Sequence, residues 1–137
     1  MSETRTLYTA NVHVTGGREG SARSSDGRLD IKLAAPGTAG QGANPEQLFA
    51  AGWSACFEGA MALAAKAKGV TLLEGVAIDA EVSLLHGEDG YSLGARLNVS
   101  VPGIEPELAR QIVEMAHRTC PYSKAIKGNI DAIVVLA

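Results

Sequence analysis

The stretch from Asn44 to Gly69, NPEQLFAAGWSACFEGAMALAAKAKG, constrains this chain more than any other. Its ends are marked. Asn44 has the side chain of an N-cap, Pro45 suits the first helical position, and Gln47 follows three residues after the cap. Lys66 and Lys68 lie where a helix dipole favours cations, and Gly69 can close the C-terminus. Between these ends the residues are apolar nearly all round, which predicts a buried helix. About 25 residues at the helical rise span some 37 Å. A compact domain of this chain length has a radius of gyration of about 14 Å. Such a helix crosses the whole domain, and one small sheet is not expected to cover it. A second copy of the chain is the expected cover. Cys56 lies midway, with Gly52, Ala55, Gly59 and Ala60 around it, small enough for another backbone or a ligand to approach the sulfur.

The remainder of the composition narrows the class. A chain of 137 residues is expected to form one domain, 1–137, with a core that needs no staples. Hydrophobic residues make up 46%, which excludes a largely disordered chain. The net charge is −3 and lysine and arginine do not cluster, so no nucleic-acid partner is expected. Glu46, Glu58 and Lys66, with many alanines and glycines, fit a protein core better than a membrane span. The opening MSETRTLYTA lacks the basic and apolar regions of a signal peptide, which points to the cytoplasm. Two cysteines in that reducing compartment are reactive or inert rather than a permanent staple.

Read in order, Leu7 to Val14 predicts a first strand, with Tyr8, Ala10, Val12 and Val14 on one face. Thr15 to Gly20 is a turn, Ser21 to Ser24 a short polar strand at best, and Asp26-Gly27 a hairpin signal. Leu29, Ile31 and Leu33 alternate as a half-buried strand, and Ala34 to Ala43 is a loop. Past the long helix, Val76 to Leu84 and Tyr91 to Val101 alternate cleanly and predict a long antiparallel hairpin. A second helix starts near Pro106 and ends around Cys120, because Pro121 disfavours helix at the residue before it. Cys120 is therefore expected at a helix C-terminus or on a following loop that gives it room to move. Ile130 to Leu136 is a closing strand. This order predicts an α+β fold with mainly antiparallel sheets around a long buried central helix.

Chemistry centres on few residues. Cys56 reads as either a buried small hydrophobe or a nucleophile. Cys120, before a proline at a helix end, is not a natural core position; a structural disulfide with Cys56 conflicts with the compartment. His117 and Cys120 have a plausible zinc spacing but lack two further convincing ligands, so no metal is expected. Arg18 sits in a glycine-flanked turn, and Glu46 in a first helical turn where a carboxylate suits the dipole anyway. Neither stands out on spacing alone.

The run from Asn44 to Gly52, continued by Ser54-Ala55-Cys56-Phe57, resembles the organic hydroperoxide resistance (Ohr) family of the OsmC/Ohr superfamily. Thr15-Gly16-Gly17-Arg18, Ser24-Ser25-Asp26-Gly27 and Cys120-Pro121-Tyr122-Ser123 fit the same pattern in the same order. The resemblance covers essentially the whole chain. Trp53 stands where many members have tyrosine and Lys124 where asparagine is usual, which leaves substrate preference open. The resemblance implies an OsmC/Ohr-like fold in an intertwined homodimer with active sites at its interface. It implies a peroxidatic Cys56, a resolving Cys120, and an Arg18–Glu46 ion pair beside Cys56. It also implies organic hydroperoxides as substrates, no bound cofactor, and a dihydrolipoyl group on a lipoylated protein as reductant. An unperturbed thiol, with a pKa of about 8.5, is only slightly ionised at neutral pH, and an adjacent guanidinium is expected to lower it. Two rival readings share these residues: a redox sensor or thiol-dependent binding protein using the same cysteine pair without turnover, and a structural dimer with incidental cysteines. Sustained peroxide consumption with a dithiol separates the first reading from both.

Overall fold

Helix α1 runs Pro45–Ala67 in the computed structural model, which describes residues 3–137. It starts on the expected proline and ends where its C-terminal signals place it. Gly69 takes φ 75°, the Val70 N–H donates to the Ala65 carbonyl at 3.0 Å, and the Gly69 N–H donates to that of Lys66 at 3.0 Å. This is a Schellman closure, which a left-handed glycine adopts without strain. The apolar residues of α1 are not buried all round, as composition predicts. One stripe is buried: Trp53, Phe57, Ala60, Met61, Ala64 and Ala65. The opposite stripe, Leu48, Ala51, Ala55, Gly59, Ala62 and Leu63, is exposed, Leu63 by 72%. One chain therefore covers one face only, as the length argument anticipates. By length and composition α1 is able to span a bilayer, yet its aromatic stripe is packed in a protein core.

The chain forms two compact units, 1–45 and 46–137. The first is a three-stranded antiparallel sheet of β1 (Val12–Thr15), β2 (Ser21–Ser24) and β3 (Asp30–Lys32), in that order. The first strand is shorter than its alternation predicts. Its ladder stops at Val12↔Ser24, because β2 turns away at Asp26-Gly27 and leaves no partner for Leu7 to Ala10. Leu7 is 83% exposed. Alternating side chains make a strand only where a neighbouring strand continues the ladder. The Asp26-Gly27 turn forms as expected: the Gly27 N–H donates to the Ser24 carbonyl at 3.0 Å. Ser24 Oγ donates to Asp26 Oδ1 at 2.6 Å and the Arg28 N–H to the same oxygen at 3.0 Å. These donors, Ser24 first, hold the Asp26 carboxyl below its ordinary value.

The second unit carries α1 and a second sheet. β4 (Ala77–Gly87) and β5 (Gly90–Ser100) form the expected hairpin, in register from Ala77↔Ser100 to Gly87↔Gly90. The closing strand β6 (Ala132–Leu136) pairs with β5 in parallel, Ala95↔Ala132 through Val99↔Leu136, a pairing that no local pattern announces. A parallel neighbour needs a crossover connection. Helices α2 (Pro106–Thr119) and α3 (Pro121–Ile126) supply it. Glu105 caps α2, its carboxylate accepting from the Glu107 N–H at 3.0 Å and the Leu108 N–H at 2.9 Å. Leu97 and Val99 of β5, with Ala109, Ile112, Val113 and Ala116 of α2, pack in one core with the buried stripe of α1. The fold is α+β with mainly antiparallel sheets, and α1 and the α2–α3 corner meet within this unit.

Candidate active site

The four residues singled out from sequence fall in both units. Arg18 lies in the first, on a single 3-10 turn (Gly17–Glu19) between β1 and β2, and its side chain is exposed. The turn has one geometry available. A Cβ at Gly20 would lie 1.7 Å from the Thr15 carbonyl oxygen, so only glycine closes it. Glu46, Cys56 and Cys120 lie in the second unit. Glu46 is in the first turn of α1 and is buried, although it is a carboxylate.

Cys56 and Cys120, 64 positions apart, are brought together as free thiols. The Cys120 S–H donates towards Cys56 Sγ, and the sulfurs are 3.5 Å apart. A disulfide bond is about 2.05 Å long, so modest closure joins them. Their surroundings differ. Cys56 sits on an unbroken helix and is partly exposed, whereas Cys120 is 0% exposed. A solute therefore reaches Cys56 first.

Cys120 is not followed by a loop. It is at once the C-cap of α2 and the N-cap of α3, with φ −60° and ψ 124°. Pro121 does exclude helix from the residue before it, but it is itself the first residue of α3. The Cys120 N–H donates to the Ala116 carbonyl at 2.8 Å, and its own carbonyl accepts from the Lys124 N–H at 2.9 Å. Both backbone groups are thus engaged in helices. Cys120 has no slack segment to swing on; its thiol is already in contact with that of Cys56.

The Cys56 thiol is pushed up from its ordinary pKa, opposite to the depression expected for a nucleophile. Burial is the largest cause, since it disfavours the thiolate. The Tyr122 backbone N–H pulls the other way, and the Cys120 thiol adds to the rise. The small residues around Cys56 have a partly different use from the expected one. At Gly52 the approaching group is Tyr122, whose Oη would lie 2.8 Å from an added Cβ. The Tyr122 ring stands edge-on to Phe49, centroids 6.3 Å apart, and Phe49 stands edge-on to Trp53 at 6.0 Å.

Three polar side chains link the same elements, of which spacing singles out only His117, and for a different role. The Trp53 indole N–H donates to Ser123 Oγ at 3.0 Å, and Ser123 Oγ lies 3.1 Å from His117 Nδ1. Ser123 belongs to the Cys120–Ser123 motif, and that motif was its only signal. His117 and Cys120 do not converge as metal ligands: the imidazole faces Ser123 and the sulfur faces Cys56. A cavity of about 680 Å³ beside α3 is lined by His117, Ser123, Arg118, Lys124 and Lys127 among others, and by neither cysteine.

The family described as OsmC-like protein matches residues 37–134. The organic hydroperoxide resistance protein of Xanthomonas axonopodis pv. citri is 45% identical over 140 residues, covering 99% of each chain. OhrA of Bacillus subtilis, another organic hydroperoxide resistance protein, is 44% identical over 138 residues, 96% of each. The crystal structure of OhrB from the same organism is similar with a TM-score of 0.91 and 41% identity, covering 96% of this chain and 100% of that one.

Proposed function

The chain belongs to the OsmC-like family and to its organic hydroperoxide resistance members, and from that premise we propose that it is a cysteine-based peroxidase reducing organic hydroperoxides to alcohols. The observation that carries the reading is the contact of two free thiols, one partly exposed and one fully buried, 3.5 Å apart. The Cys56 thiolate attacks a peroxide oxygen, the O–O bond breaks, and the alkoxide leaves as an alcohol once protonated. The sulfur remains as sulfenic acid. Cys120 then displaces its hydroxyl as water and forms the Cys56–Cys120 disulfide. A dihydrolipoyl dithiol on a lipoylated protein restores both thiols by exchange and becomes the cyclic disulfide. No bound cofactor is needed.

Burial pushes the Cys56 pKa up, and a neighbouring cation counters such a push. In our reading Arg18 supplies it. Arginine stays charged and presents a planar fork, one edge for Glu46 and the other for Cys56 and the peroxide. A buried carboxylate such as Glu46 is costly unless it is paired, which favours this assignment. The protein acts as a homodimer, because α1 leaves Leu48, Ala51, Ala55 and Leu63 uncovered in one chain. Apolar residues beside Cys56 suit bulky alkyl or fatty-acyl hydroperoxides better than hydrogen peroxide. The site of action is the cytoplasm, where lipoylated proteins and reduced thiols coexist.

The test is turnover of cumene hydroperoxide with dihydrolipoamide, compared with thioredoxin as reductant and hydrogen peroxide as oxidant. Fast turnover with the first pair alone supports the reading. A single oxidation without turnover identifies a sensor, and no fast oxidation leaves the cysteines incidental.

A further inference from the structure

One helical turn from the thiols, a second set of contacts ties together the elements that carry them. Trp53 precedes Cys56 by three residues on α1, Ser123 follows Cys120 by three on α3, and His117 precedes Cys120 by three on α2. The Trp53–Ser123 and Ser123–His117 contacts, 3.0 and 3.1 Å, thus run parallel to the 3.5 Å sulfur contact. The proton inventory fixes the direction of the first. Indole N–H only donates, so Ser123 Oγ accepts from Trp53. The serine's own proton is then free for His117 Nδ1 in the tautomer that carries its proton on Nε2; in the other tautomer Nδ1 donates to the serine's second lone pair. Burial disfavours the imidazolium. Ser123 is itself buried, at 3% exposure.

We propose that Ser123, through Trp53 and His117, is the positioning residue for disulfide closure: it holds the α2–α3 corner against α1 so that Cys120 Sγ stays within attack distance of Cys56. The inference rests on the redox reading of the two cysteines given above. In the step it serves, the Cys120 sulfur attacks the sulfur of the Cys56 sulfenic acid. The S–S bond forms, the S–O bond breaks, and the hydroxyl leaves as water with the thiol proton. Cys120 is oxidised and Cys56 is reduced. Because both backbone groups of Cys120 are engaged in helices, its approach is set by where the corner sits and not by a mobile segment. Intramolecular attack is steeply sensitive to small misplacements, so loosening the corner slows closure more than it slows the first oxidation, which the Tyr122 N–H on the same corner assists.

The experiment uses the full chain and one equivalent of cumene hydroperoxide, with dimedone trapping of the sulfenic acid and mass spectrometry. In Ser123→Ala, Cys56 oxidation should slow far less than closure does, so that the sulfenic acid persists about tenfold longer or more. Trp53→Phe, which keeps the ring packing and removes the N–H, should give a smaller delay. His117→Asn places an acceptor oxygen near the position of Nδ1 and should close almost as the wild type does; His117→Leu should follow Ser123→Ala. A second measurement needs no peroxide: the dithiol–disulfide equilibrium against glutathione, which should shift toward dithiol in Ser123→Ala. If the wild type fails to consume peroxide, the peroxidase reading falls and the glutathione equilibrium alone decides the positioning role. Unchanged closure, or an unchanged equilibrium where closure is not measurable, in a folded Ser123→Ala overturns the proposal. If Ser123→Ala does not fold, Trp53→Phe and the two His117 variants decide it by the same readouts.

Discussion

The two cysteine environments are built on opposite plans. Cys56 lies in the middle of an unbroken 23-residue helix and is partly open to solution. Cys120 lies at a one-residue corner between two helices and is closed off completely. A peroxidatic thiol has to meet a molecule from outside, whereas a resolving thiol has only to meet its partner. Rigidity at both positions is compatible with this division, because the sulfurs are already 3.5 Å apart. The proposed roles rest on this difference in access rather than on a difference in mobility.

Exchanging either thiol for serine should break this comparison most sharply. Cys56→Ser should abolish peroxide consumption, including the first turnover. Cys120→Ser should consume about one equivalent per subunit, leaving Cys56 as sulfenic and then higher oxides, and should stall with dihydrolipoamide. Mass spectrometry after one equivalent of an organic hydroperoxide reads both. Oxygen added to Cys120 at the wild-type rate in Cys56→Ser would reverse the assignment.

The next largest effect concerns the electrostatics of the open thiol. Inside its own unit Cys56 is pushed toward the neutral form by burial, and in the proposed mechanism the Arg18 cation draws the thiolate out. Arg18→Ala should raise the Cys56 pKa further and slow peroxide reduction by orders of magnitude. Glu46→Ala should cost less, since the arginine charge survives and only its orientation is loosened. The pH dependence of Cys56 alkylation measures both. An Arg18→Ala protein whose alkylation profile matches the wild type would remove arginine from the activating role.

How much of this could be read in advance differs along the chain, and for physical reasons. The ends of α1 were legible because Pro45 and Gly69 act within one turn of themselves. The β4–β5 hairpin was legible because its alternation runs the full length of both strands. Leu7 to Ala10 alternates just as well, yet forms no strand, because pairing depends on where β2 ends. Helix α3 is hidden in the sequence because Pro121, which ends α2, is also the first residue of the next helix. The meeting of Cys56 and Cys120 rested on family resemblance, and the Trp53–Ser123 bond joins residues 70 positions apart that no local pattern couples.

A smaller effect separates the corner from the helix by pH. His117 packs on Phe57, with ring centroids 6.2 Å apart, and shares its cavity with Arg118, Lys124, Lys127 and Asp131. Burial holds its pKa below the ordinary histidine value. The unfolded chain therefore binds the proton more readily than the folded one. Stability should be fully present above the unfolded value, about 6.5, and decline as pH falls through the depressed folded value. Denaturant midpoints from pH 8 to pH 5 should show the decline in the wild type and a shallower one in His117→Asn. Equal slopes would show that other groups dominate this range.

The smallest expected effect is at the contact where the two environments touch. Gly52→Ala gains about 1 kcal/mol of helix propensity in the interior of α1. Against this, the new Cβ would lie 2.8 Å from Tyr122 Oη and 3.2 Å from Cζ, so the ring must swing away from α1. Its edge-on contact with Phe49 is then lost, at about 0.5–1.5 kcal/mol. The two effects are nearly equal, and Tyr122, a residue 41% exposed, has solvent to swing into. Net stability should change little. The informative readout is the Cys56 pKa, because the Tyr122 backbone N–H is one of the groups acting on that sulfur. That N–H belongs to α3, whose first turn is anchored by the Lys124-to-Cys120 backbone bond and by Ser123, not by the phenol. The alkylation profile of Cys56 in Gly52→Ala should therefore overlay the wild type while the aromatic near-UV signal of Tyr122 changes. A raised pKa would mean that the ring, rather than the corner, holds the amide on the sulfur. The α2–α3 corner would then be less rigid than its two helices make it.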